Sequence, residues 1–383
     1  MISKKRFNND SNLLTINRET GVVIFFLIKI LVRGIIQLMH DLALYRKYRP
    51  KAFKEVLGQD HIVKVLESSV KTNKVSHAYL FVGSRGTGKT SVARIFATSI
   101  GVSVNDLYEI DAASNRGIED IKELRSGVRV LPFDSKYKVY IIDEVHMLSK
   151  DAWGALLKTL EEPPKHVIFI LATTEFHKVP ETIISRCQVF TFKKASDVLC
   201  KKLLLDVAKS EGFELDAGSA ELLAILADGS FRDGLGELQK ILNFSKIKKI
   251  KREDVEKITG APKTTLVNDF ISAIAEKDLE KGISAVRIAS EANLDMKLYF
   301  KLIIQKFRLA IILRYASKLE KEMAGDLGET DLEFLKELIK KDKDGMLRSG
   351  ALATLLEAYQ NIDNAFVAEL PLELALVEII GKE

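Results

Sequence analysis

Two cysteines, Cys187 and Cys200, in 383 residues leave no disulfide framework and no four-thiolate zinc site, and point to a reducing compartment. Proline is scarce, seven in all and none between 263 and 370, so the last third can run as uninterrupted helix. An excess of one charge is missing too. Of the net +5, residues 1–40 hold six cations (Lys4, Lys5, Arg6, Arg18, Lys29 and Arg33) against only Asp10 and Glu19. The remaining chain is almost neutral, so any contact with nucleic acid must come from a local basic patch. No repeat at a solenoid period and no low-complexity tract occurs. A hydrophobic share of 47% beside 29% charged residues excludes a disordered chain and a multi-span membrane protein.

One long apolar run is present, GVVIFFLIKILVRGIIQLM at 21–39. Its apolar side chains favour insertion by about 4–8 kcal/mol in total, while central Lys29 and Arg33 cost about 2.5–3.5 kcal/mol each, so spanning a bilayer roughly breaks even. Lys29, Arg33 and Gln37 recur every four residues and would share one helix face. Three readings stay open: upstream sequence preceding a start at Met39, an amphipathic or packing helix, and a membrane anchor. The interrupting cations exclude a signal peptide. The expectation for the body of the chain is no membrane and a cytoplasmic location.

Strand-like runs at 79–82, 107–110, 138–142, 167–172 and 189–192 alternate with amphipathic stretches at 92–99, 118–130 and 152–160. That alternation predicts an α/β fold, a parallel sheet domain with flanking helices. Strand signals stop after Phe192. Residues 196–258 read as three or four helices, with an N-cap at Ser196 and a glycine break at Gly229. The expected domains are an N-terminal extension at 1–40, a nucleotide-binding α/β domain at 41–193, a small helical lid at 194–260 and a helical domain at 261–383. The basic run at 246–252 reads as a solvated face between helices or as a contact for DNA or an acidic partner.

The string GSRGTGKT at 83–90 follows the first strand and opens a helix, which is the context a phosphate-binding loop requires. Gly83, Ser84, Arg85, Gly86, Thr87 and Gly88 can turn backbone N–H groups toward phosphate oxygens. Lys89 would reach the β- and γ-phosphates, Thr90 would hold Mg²⁺, and Ser91 lies next on the helix. The strand at 138–142 ends in Asp143 and Glu144, the first suited to the Mg²⁺ shell and the second to polarising a water for in-line attack. Thr173 and Thr174 end a further strand, where ligands bind in such sheets. Arg186 and Arg232 carry no role by position alone. His146 reads as a packed or hydrogen-bonded histidine, Trp153 as core, and Cys187 as a small buried residue without a matched base.

The strings LYRKYRP at 44–50, SHAYLF at 76–81, EIDAASNRG at 109–117, YIIDEVHMLS at 140–149, LLKTLEEPP at 156–164, LATTE at 171–175, ISRC at 184–187 and GSFRDGL at 229–235 resemble the AAA+ ATPases. Among these they are most similar to the clamp-loader motors of bacterial DNA polymerase III. The resemblance is dense over 42–260 and loose beyond. It implies an AAA+ P-loop sheet domain, a lid and a C-terminal collar for oligomerisation, with ATP hydrolysis inside a DNA-polymerising holoenzyme. It makes Lys89, Thr90, Asp143 and Glu144 the nucleotide and hydrolysis set and Thr174 the γ-phosphate sensor, with Thr173 as the alternative. By the same resemblance Arg232 is a second sensor on the lid, and Arg186 a finger inserted into a neighbouring subunit's site. Arg49, Pro50, Val56 and Leu57 match an adenine pocket, and Asn115 and Arg116 a loop facing DNA phosphates. The partners implied are further copies of the chain, delta and delta-prime subunits, the sliding clamp and primed DNA.

Two departures from the family pattern stand out. Residues 100–106 run straight on where family members carry a four-cysteine zinc module, so no zinc is expected, and the chain closes near the end of the collar, as a short form does. The alternatives kept beside this reading are a non-hydrolysing scaffold subunit and a branch-migration motor with a winged-helix domain.

Overall fold

A computed structural model describes residues 42–115, 117–245, 247–316 and 329–381. The N-terminal run at 21–39 and Arg116 lie outside the described residues. Leu44–Lys47 forms a single helical turn in a unit of its own, and residues 48–383 form a second compact unit. Among the described residues no helix is long and apolar enough to cross a membrane.

Within the second unit five parallel strands build a sheet: β1 (Ala78–Val82), β2 (Leu107–Asp111), β3 (Lys138–Asp143), β4 (Val167–Thr173) and β5 (Gln188–Thr191), in the order β2-β3-β4-β1-β5. The central strands are apolar without alternation because helices cover both faces. One face packs Tyr79, Phe81, Ile141 and Ile170 against Leu66, Val92 and Phe96. The other packs Leu80, Ile142, Phe169 and Leu171 against Ile121, Trp153 and Leu156, which makes Trp153 core as expected. The strand runs read from the sequence match within about a residue, except that Phe192 falls just outside β5. Residues 100–106 pass directly from the helix Lys89–Ser99 to β2 through the 3-10 turn Val104–Asp106.

Four helices follow, Asp197–Ser210, Ala217–Ala227, Phe231–Phe244 and Arg252–Thr259. Ser196, Asp216 and Ser230 cap the first three by accepting the N–H groups of Leu199, Ser219 and Asp233. The expectation that strands end at Phe192 needs correcting. Glu214–Leu215 pairs in parallel with Lys249–Ile250, and Ile250 is fully buried. Part of the basic run is therefore a strand that buries Ile250, while Lys248, Lys249 and Lys251 stay exposed as the expected solvated face; two residues are too few for alternation to show in a sequence.

Among the described residues six further α-helices follow: Thr264–Glu276, Leu279–Glu291, Met296–Tyr315, Glu329–Lys341, Ser349–Asn361 and Leu370–Ile380. Pro371 falls in the first turn of the last one, where a missing N–H costs nothing. Buried Lys306 donates to Asp331 at 2.6 Å, and Arg252 of the preceding helical region reaches the same carboxylate at 3.1 Å. Shared charge thus joins the two helical regions, since removing one member would strand the others in a low dielectric.

Candidate active site

The loop of 83–88 leaves the C-terminal end of β1, and its glycines decide its path. Gly88 has φ +99° with open space where a side chain would stand, so the loop stays hollow before the helix Lys89–Ser99 begins. Gly86 has φ +74°, and a Cβ there would lie 1.8 Å from Ser230 Oγ. The cap of the helix Phe231–Phe244 rests on the loop, and Phe231 N–H donates to Gly86 O at 3.2 Å. Gly86→Ala therefore strains the backbone and pushes this helix off the loop. We expect nucleotide affinity to fall at least about tenfold, read by titrating a fluorescent ATP analogue, with the fold's unfolding midpoint little changed.

Lys89 is buried, its Nζ donating to Gly83 O at 2.7 Å and Ser84 O at 3.0 Å. Burial pushes its ammonium below the ordinary lysine range; Glu144 and Asp143 pull it back up, and Arg232 pushes it down again. The guanidinium of Arg49 is likewise lowered, first by burial and then by Arg94, with Arg232 also pressing it down and Glu109 and Asp143 opposing. Arg49, Lys89 and Arg232 thus share one field with Asp143 and Glu144, although they come from four places in the chain. Arg49 Nε also donates to Ser91 Oγ at 3.1 Å, which ties the segment before the sheet to the loop helix. Val56 packs, half-buried, against the sheet face that holds Val92 and Phe96, and Pro50 is half-buried beside Arg49.

Strand order places β4 between β1 and β3, so Thr173 and Thr174 lie between the loop and the carboxylate pair. Thr90 Oγ1 donates to Asp143 Oδ2 at 2.7 Å, and Thr174 Oγ1 donates to Glu144 Oε2 at 3.0 Å. A hydroxyl and a carboxylate oxygen side by side form the hard donor set that Mg²⁺ takes, so Thr90 and Asp143 fit that ion. Glu144 has φ +47°, a left-handed conformation uncommon outside glycine and frequent at active sites.

Two sequence-derived candidates do not join this cluster. Gln188 of β5 lies level with Tyr79 of β1, and Arg186 lies in the turn that precedes it, toward the opposite end of the sheet from Gly83. The rise from the level of Gln188 to Gly83 is about 13 Å. Its guanidinium donates to Thr182 O at 2.6 Å and to Glu161 Oε1 at 2.9 Å. Asn115 lies just beyond β2, at the sheet's edge, and both its N–H and its amide donate to Asp111 O. Cys187 packs on the core, and burial drives its thiol up to about 12, so it stays unreactive.

Sequence reasoning missed Ser230 as the residue that seats on the loop; its only local signal was the cap pattern at 230–233. It also missed the part of Glu175. His146 Nδ1 lies 3.0 Å from Thr173 Oγ1, and its Nε2 lies 3.1 Å from Glu175 Oε1, so the expected hydrogen-bonded histidine is found within this site.

A glycine-rich loop on the second-from-edge strand, a carboxylate pair two strands away and a helical region seated on the loop define a parallel α/β fold of the P-loop type. A family model described as DNA polymerase III, delta subunit, matches residues 58–106 and 100–196. DNA polymerase III subunit tau of Bacillus subtilis is 41% identical over 299 residues, covering 73% of this chain and 53% of that one. DNA polymerase III subunit gamma of Buchnera aphidicola subsp. Baizongia pistaciae is 34% identical over 275 residues, covering 66% of this chain and 74% of its own length. Among solved structures, the Thermotoga maritima RuvB Holliday junction branch migration motor aligns over 65% of this chain and 86% of its own, at 20% identity and a TM-score of 0.48. The chain belongs to the DNA polymerase III gamma/tau subunit family. It spans about half the length of several curated relatives it matches, the Bacillus subtilis and Mycoplasma genitalium subunits among them.

Proposed function

We propose that this chain is an ATP-hydrolysing motor subunit of a clamp loader, using ATP to place a sliding clamp on primed DNA. Support comes from the family and, above all, from the two hydroxyl–carboxylate contacts beside the loop lysine, Thr90 to Asp143 and Thr174 to Glu144. In this reading residues 41–193 hold the nucleotide, 194–260 form its lid and 261–383 form the collar.

Lys89 exchanges the loop carbonyls for the β- and γ-phosphate oxygens, and the backbone N–H groups of 84–90 complete the cradle. Arg49, Pro50 and Val56 border the adenine. Thr90 and Asp143 would hold Mg²⁺, which would supply positive charge beside the phosphates. Glu144 orients and polarises a water, and Thr174 keeps that carboxylate in place and reports whether a γ-phosphate is present. Arg232, on the helix that caps against Gly86, couples nucleotide state to the lid angle. Arg186 serves a neighbouring subunit's site. Asn115 and Arg116 face DNA phosphates, so affinity for DNA is independent of sequence.

The partners in this reading are further copies, delta and delta-prime subunits and the clamp. The test assembles the full chain with these and measures ATP turnover with and without primed DNA at about 50 and 200 mM salt. Turnover rises on adding primed DNA of any sequence, and the apparent DNA affinity drops steeply at the higher salt. Turnover indifferent to both clamp and DNA removes the loader assignment.

A further inference from the structure

The ring of His146 is only 6% exposed and bridges the two segments that carry the hydrolytic residues. It belongs to the 3-10 turn Val145–Met147, directly after Glu144. Its partners, Thr173 and Glu175, flank Thr174 at the end of β4. Thr173 is fully buried, and its hydroxyl oxygen already accepts the N–H of Glu175 at 3.0 Å. The hydroxyl keeps one proton and one further lone pair for His146 Nδ1, while Nε2 on the other side of the ring faces the Glu175 carboxylate.

Nδ1 also lies 3.5 Å from Glu144 Oε2. The imidazole thus touches Thr173, Glu175 and the same Glu144 oxygen that Thr174 holds. The charged groups meeting the ring are Glu144 from its own turn and Glu175 from the strand end. Lys178, at 2.7 Å, and His177, at 3.7 Å, reach Glu175 from outside.

We propose that His146 is a positioning residue for the Glu144–Thr174 pair, a strut between the Glu144 turn and the Thr173–Glu175 strand end. The proposal rests on the hydrolytic reading given above. It goes beyond that reading in naming the group that sets the geometry.

The test measures kcat and KM for ATP with the full chain in its active assembly. His146→Ala lowers kcat about 10–100-fold with KM held within about threefold, since a misplacement near 1 Å costs that much. His146→Asn, whose amide can still pair with the Thr173 hydroxyl, recovers most of the loss. Thr173→Val removes the same bond from the other side and reproduces the kcat loss of His146→Ala. An unchanged kcat in His146→Ala, or a His146→Asn protein as slow as His146→Ala, overturns the strut. A Glu144→Gln protein measured in parallel separates the two ideas: if it turns over like the parent, the hydrolytic reading falls instead.

Discussion

Arg186→Ala lowers ATP turnover in the assembled protein by about 10³–10⁵-fold while leaving ATP affinity almost unchanged. The affinity is spared because Arg186 stands at the far end of the sheet from its own phosphate loop. Strand register puts Gln188, the start of β5, level with Tyr79, and Arg186 lies in the turn before it, while the loop begins beyond Val82, about 13 Å further along the sheet. Its hold within its own chain is light: the Glu161 partner is partly exposed and the pair is replaceable at little cost. The guanidinium can leave Glu161 for a phosphate in an adjoining copy, where two planar donors meet a γ-phosphate better than they meet a solvated carboxylate. Mixing Arg186→Ala subunits with Lys89→Ala subunits then restores part of the activity, because some seams pair an intact loop with an intact arginine. If the mixture stays as inactive as its components, the arginine does not act across the interface.

Glu144→Gln keeps the shape and removes the base. The expected loss in turnover is about 10²–10⁴-fold, with ATP bound at least as tightly as before. The geometry explains why binding survives: in the proposed function Lys89 and the loop, not Glu144, take the phosphates, while Glu144 meets Thr174, which can donate to an amide oxygen as well as to a carboxylate. The left-handed backbone at Glu144 is already present, held by the turn Val145–Met147 and by the bond from its own N–H to Asp143 Oδ1 at 3.0 Å, so the substitution adds no strain. A quench-flow measurement of the first turnover reads the chemical step free of product release. A burst equal to that of the parent protein would assign the base to another residue.

Much of this site was legible before any fold. The loop string, the Asp143–Glu144 pair and the Thr173–Thr174 strand end are local patterns, and each of the five sheet strands announced itself by an apolar run. The lid's paired strands did not, since Glu214–Leu215 and Lys249–Ile250 are stabilised by each other and not by a pattern either contains. His146 could be read as hydrogen-bonded, but nothing near it in sequence names Thr173 or Glu175 as its partners.

What the amino-acid order determined alone is the chemistry available: a hollow glycine loop ahead of a helix, a lysine and a threonine at its start, and carboxylates closing an apolar strand. These follow from backbone freedom and side-chain type over a few residues. Only the tertiary structure decided which groups meet and which are kept apart. The order β2-β3-β4-β1-β5 brings Thr174 to Glu144, seats Ser230 on Gly86, and sends Arg186 to the opposite end of the sheet. The physical reason is that parallel pairing joins strands distant in sequence, and its register is set by burying both faces at once, a condition no local segment can satisfy or reveal.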